Sequence, residues 1–295
     1  MLLADAPVLS WDLTADLREI WSYAFMVNAF RAATVVAVVA PVVGWFMVLR
    51  RQTFAGHTLS VVAFPGAALA TLLGISTTFG YLGACLATAL VIALLRDAGR
   101  PGGAQESAAT GILQAFALGC GFLFVTLYHG LLGGPQALLF GTFLGITDQQ
   151  VLLLAAVGAA VLAVLALIGR PLLFATLDPE VAAARGVPVR WLSAGFLLLL
   201  GAATAEAGQI TGSLLVFALL VIPAATAQQL TARPVRGVLL AVLIGLAASW
   251  LGLFAAYYWP YPLGFLVTTV AFTGYLLAHA VRAAGRFSRT AAVPA

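Results

Sequence analysis

The chain has 295 residues, of which 63% are hydrophobic and only 8% charged, and its mean hydropathy is +1.08. Soluble domains carry about 25% charged residues, so this composition describes an integral membrane protein and leaves no soluble domain of useful size. The net charge of +4 comes from 14 arginines and no lysine. Most of these stand between apolar runs, where they report topology and not an affinity for nucleic acid.

In chain order, residues 1–20 hold Asp5, Asp12, Asp16 and Glu19 against Arg18 alone. That is the reverse of a signal peptide's basic start, and it suits an extracytoplasmic interfacial arm. Residues 21–285 read as one transmembrane domain, and 286–295 as a cytoplasmic tail. Within the domain, apolar runs cut at Arg, Pro-Gly and acidic positions predict nine segments: 22–49, 59–74, 81–95, 108–132, 151–169, 191–207, 210–230, 238–258 and 263–281. Runs of about 20 residues match a hydrocarbon core of about 30 Å, so the fold class is all-α, a polytopic helical bundle. The second segment is short, which keeps eight crossings as an alternative to nine. The stretch 133–150 is too polar to cross and suits the outer interface or a re-entrant turn. Every arginine except Arg18 and Arg31 then falls on inside loops, which predicts an outside amino terminus and an inside carboxyl terminus.

The stretch RRQTFAGHTLSVVAFPGAALA, from Arg50 to Ala70, organises this topology. Arg50 and Arg51 mark the inner face, and His57 opens the segment that returns to lipid. Pro65-Gly66 predicts a break in that segment, and a bilayer tolerates an interrupted helix only where protein or a water-filled cavity satisfies the loosened backbone. Cys85 and Cys120 fall inside apolar segments and read as small hydrophobes. Trp250, Tyr257, Tyr258, Trp259 and Tyr261 gather at an outer helix end, as an interfacial aromatic belt does.

Between two spans lies LDPEVAAARGVPVR, with its own start and stop signals. Asp178 suits the N-cap, Pro179 the first helical position, Glu180 the positive dipole end and Gly186 the left-handed stop. The expected helix over 178–186 is about 10 Å long, too short to span a membrane and suited to dock into a cleft of a soluble partner; a well-terminated loop without a partner is the plainer reading. Further on, Glu206 is the sole acidic residue inside a predicted span, which makes it a candidate by default, unless it lies in water at the outer helix end. Gln209 and Thr211 follow it. His129, near an outer end, reads as an interfacial donor, and His279 carries no assigned chemistry.

The run GSLLVFALLVIPAATA from Gly212 to Ala227, followed by QQLTARP, resembles the signature segment of ABC-importer permeases for zinc and manganese. The short helix with Asp178, Pro179, Glu180, Ala182 and Gly186 resembles the coupling helix of that family. Arg50 to Gly66 resembles its early pathway segment, and LLFGTFLGITD a stretch before its fifth segment. The resemblance implies a type II importer fold, related to cobalamin and siderophore permeases, in which two permease copies pair with two ATPase subunits. It also implies that metal arrives from an extracytoplasmic binding protein, with Zn or Mn carried transiently and no cofactor held permanently. The absence of lysine agrees independently, because a phosphate-binding loop ending in Lys-Ser/Thr cannot be built here; ATP then belongs to the partner subunit.

One departure bears on the cargo. The family places Asp and His four residues apart in a run resembling GD-x-x-x-H, on one helix face as a metal pair needs. The matching positions here are His57 and Val61. An imidazole alone suits Zn, Mn or Fe weakly, so Ser60 about one turn on and Glu206 from elsewhere are the candidates to complete a metal site; the plainer reading of His57 is an inner helix end. An ion-coupled secondary transporter should carry several intramembrane carboxylates, and a membrane enzyme built on Ser60 and His57 lacks an orienting third group. A permease for a metal chelate, siderophore or cobalamin remains the alternative, since a wider path needs no ligand pair.

Overall fold

Each predicted apolar segment corresponds to a helix in the computed structural model of the chain, which describes residues 12–95, 104–128 and 145–290. In chain order the helices are α1 (Leu13–Ser22), α2 (Ala24–Leu49), α3 (Thr53–Leu72), α4 (Thr77–Leu95), α5 (Ala104–Leu127), α6 (Asp148–Leu177), α7 (Pro179–Ala184), α8 (Val189–Thr211), α9 (Ser213–Leu230), α10 (Pro234–Tyr258) and α11 (Leu263–Thr290). Among the described residues, regular structure is helical throughout. His129, Arg96, Arg100 and residues 133–144 lie outside the described residues, whereas Asp148 to Gln150 form the first turn of α6 under a Thr147 capping box.

Among the described residues, eight helices are long and apolar enough to cross a membrane: α2 to α6, α8, α10 and α11. The short member is not the second segment, as expected, but the seventh. α3 begins at Thr53 and runs 20 residues, while α9 runs 18, from Ser213 to Leu230. The cause is local: α8 continues to Thr211, and Gly212, with φ +77°, turns the chain in a conformation that favours glycine.

A second correction concerns Pro65 and Gly66. The helix is not broken there, and α3 passes through both residues without interruption. Proline removes one intrahelical bond, but neighbours hold α3 on two sides. Gly121 of α5 lies against Phe64 and Pro65, and Gly66 lies so close to Gly80 of α4 that a Cβ on it would collide with the Gly80 carbonyl. Gly66 therefore permits close helix approach.

The central element is α2, which packs against α6, α8, α9 and α10. Its Gly44 lies under the carbonyl of Leu220 in α9, and Gly245 of α10 fits against Pro41 and the Ala37 carbonyl. Val36, Val43, Leu165, Leu172, Leu200 and Leu220 join in the main apolar core. At the other end of the bundle, Ile20 of α1 is buried with Phe30, Leu253 and Tyr258, and the Tyr257 hydroxyl donates to Glu19 Oε1 at 2.9 Å. Part of the aromatic cluster thus serves to seat α1 on α10, while Trp259 and Tyr261 are exposed as belt residues are.

Candidate functional site

The short helix α7 forms as its terminal signals require. The Asp178 carboxylate accepts from the Val181 amide at 3.0 Å, with Pro179 in the first turn. At the other end Gly186 has φ +81°, and the Val187 amide donates to the Ala182 carbonyl at 3.0 Å, a left-handed termination. Ala182 is fully buried against the bundle. Glu180 and Arg185 are exposed, as are the apolar side chains of Leu177, Val181 and Trp191. This end of the protein therefore offers a rigid knob with an apolar tip and charged flanks.

Behind the knob lies a residue that the arginine pattern of the sequence marks only as a sign of topology. Arg51 is exposed, with φ +57°, but Arg50 is just 2% exposed. Its guanidinium donates to Thr176 Oγ1 at 2.8 Å, to Ser193 Oγ at 2.7 Å and to Gln52 Oε1 at 3.2 Å. It also lies 5.4 Å from the centre of the Phe196 ring. The available hint was a second arginine where one suffices to mark the inner face, followed by Gln52.

His57 stands in the second turn of α3, with its ring centre 4.7 Å from that of Phe217 on α9, edge to face. Its Nδ1 is buried without a hydrogen-bond partner among the described residues. A buried polar atom normally finds a partner, so this nitrogen is available to a visiting ligand. Ser60 shares the turn, but its hydroxyl donates to the His57 carbonyl at 2.7 Å; only an oxygen lone pair remains for a cation. Val61 contributes no donor atom.

Glu206 lies five residues before the end of α8 but is only 5% exposed, so it is buried and not in water. It lines a cavity of about 10 Å³ among Val36, Val39, Leu154, Val161 and Ala203, between α2, α6 and α8. That is roughly the room one water needs. Gln209 Nε2 donates to Glu206 Oε2 at 3.4 Å, and Thr78 Oγ1 donates to Gln209 Oε1 at 2.8 Å, linking the carboxylate to the first turn of α4. His57 and Ser60 are thus together, whereas Glu206 faces α2 and α6. Among the described residues no cluster of three or more His, Cys, Asp or Glu side chains forms. Cys85 is buried and donates to the Leu59 carbonyl, a packing role.

This architecture matches known proteins over nearly its whole length. Residues 22–282 match the ABC 3 transport family. The chain belongs to that family. It is 31% identical over 267 residues to the manganese transport system membrane protein MntC of Halalkalibacterium halodurans, covering 90% of each chain. It is 30% identical to the manganese import system permease protein ScaB of Streptococcus parasanguinis, covering 83% of this chain and 86% of that one. A 30% match to the chelated iron transport system membrane protein YfeC of Yersinia pestis covers 86% of this chain and 85% of that one. Among solved structures, PsaBC from Streptococcus pneumoniae in complex with a Fab superposes with a TM-score of 0.79 at 28% identity, covering 90% of this chain and 95% of that one. The protein is accordingly a multi-pass ABC permease of the ABC 3 family, and its helical bundle is of the kind the signature segment implied.

Proposed function

We propose that the chain is the transmembrane subunit of an ATP-driven importer of divalent transition metal ions, working with a separate ATPase subunit. The observation that carries this reading is α7, a short capped helix anchored by Ala182 and exposing Val181 beside Leu177 and Trp191. On a chain without lysine, such a knob supports power delivered by another subunit. Asp178, Pro179, Glu180, Ala182 and Gly186 build it. Two permease copies, two ATPase subunits and an extracytoplasmic metal-binding protein complete the importer. It sits in the bacterial cytoplasmic membrane, with the amino terminus outside and α7 inside.

The names of the relatives favour manganese over zinc as cargo, and iron next. His57 meets the ion with its unpaired nitrogen, which suits borderline metals, and Ser60 adds a weak oxygen. Glu206 acts as a separate carboxylate station and not as a partner in the same shell. A metal-chelate permease is the second reading, favoured by Val61 in place of a ligand and by the likeness to YfeC.

Reconstitution of the permease with its ATPase and binding protein tests the assignment. ATP-dependent Mn²⁺ uptake is expected in vesicles, and Val181→Glu should abolish ATPase association while membrane insertion is unchanged. A Val181→Glu complex that assembles and pumps normally would remove α7 from the coupling role.

A further inference from the structure

Arg50 occupies a position that no topology signal requires. Thr176 is in the last turn of α6, directly before the Asp178 cap of α7, and Ser193 is near the start of α8, after α7. One guanidinium therefore holds both arms of the loop that presents α7. The Thr176 hydroxyl donates to the Leu172 carbonyl at 2.6 Å, which turns its lone pairs toward Arg50. The third bond goes to Gln52, whose carbonyl accepts the first amide bond of α3 from Gly56 at 3.0 Å. Arg50 itself ends α2, and α3 carries His57 one turn further on.

Three properties make this a mechanical junction and not a surface contact. The cation is almost fully removed from water, so its bonds to fixed oxygens are strong and hard to replace. A planar guanidinium holds its donors in a rigid fork, so one arm cannot shift far without carrying the others. Gln52 Nε2 is buried with no hydrogen-bond partner among the described residues, so the junction holds one unmatched donor where such groups are normally paired.

We propose that Arg50 is a positioning residue that converts displacement of α7 into displacement of the inner ends of α2 and α3, and so of the path beside His57. This rests on the coupling role assigned to α7 above. A merely structural arginine would affect folding. A relay affects the ratio of cargo moved to ATP consumed.

The test uses the full permease–ATPase complex with its binding protein in sealed vesicles, with Mn²⁺ as the probe, measuring uptake and ATP hydrolysis together. Arg50→Gln should leave the complex assembled and hydrolysing ATP while Mn²⁺ moved per ATP falls about tenfold or more, the scale of losing charged hydrogen bonds. Arg50→Lys should not restore the ratio, because an ammonium cannot reproduce the fork. Thr176→Val combined with Ser193→Ala should give an intermediate fall, and Arg51→Asn should match the wild type. A wild-type ratio in Arg50→Gln, or uptake and hydrolysis falling together in proportion to lost complex, overturns the relay. Should Arg50→Gln fail to assemble, the Thr176→Val/Ser193→Ala complex decides by the same ratio. If the wild-type complex moves no Mn²⁺ with ATP, the importer reading fails and the relay with it; if it pumps and Arg50→Gln pumps as efficiently, only the relay fails.

Discussion

The α7 end of the bundle and its middle are built on different principles. Around α7 and Arg50, directed bonds dominate: a carboxylate cap, a left-handed stop and a guanidinium with three side-chain oxygens. In the middle, shape dominates, with Gly66 on Gly80, Gly44 under Leu220 and Gly245 on Pro41. The ionisable His57, one turn beyond the Arg50 junction, and Glu206, five residues before the end of α8, stand apart from each other, each with few polar neighbours. In the importer proposed above, the part that transmits force needs stiffness in defined directions. In the same proposal, a path that releases its cargo needs few ligands, since several donors around one ion would hold it.

The sharpest way to break this contrast is to spoil the shape. Gly66→Leu should lower stability by about 3 kcal/mol, as overpacking a tight contact does, measured by thermal unfolding in detergent. Tolerance of the leucine would mean that the α3–α4 contact is looser than described. A smaller effect, opposite in sign, is expected at the isolated carboxylate. Glu206→Leu should raise stability by about 1–2 kcal/mol, because a sparsely bonded polar group leaves an apolar pocket, while Mn²⁺ uptake falls. Unchanged uptake in both this variant and His57→Ala would leave the path without either residue.

The smallest effect lies at α1, where directed bonds cap a helix outside the spans. Hydrogen bonds to Asp12, from the Thr14 hydroxyl first and then the Thr14 and Ala15 amides, hold its carboxyl below the usual carboxylate range. A lowered value means that the ionised cap stabilises the helix above the ordinary carboxylate range and that this support is lost as pH falls through the lowered value. Amide exchange at Thr14 and Ala15, corrected for the intrinsic pH dependence, should therefore speed up as pH falls below the ordinary aspartate range. Asp12→Asn, which still caps, should remove that pH dependence.

The sequence by itself determined what depends on neighbours along the chain or on transfer to lipid. Apolar run length predicts the spans, and the Asp178-Pro179 and Gly186 signals predict α7 almost to the residue, because caps and stops act over a few residues. That His57 and Val61 lie on one face of α3 was equally legible, since i and i+4 share a helix face whatever the helix packs against. Only the tertiary structure decided that α3 runs unbroken through Pro65, because α4 and α5 hold it across the missing bond. It alone separated Glu206 from His57 by turning the carboxylate toward α2 and α6. It alone distinguished Arg50 from Arg51, identical side chains one position apart. What a side chain does in this bundle depends on which helix lies opposite, and that is fixed by contacts between residues more than a hundred positions apart, such as Arg50 with Thr176 and Ser193.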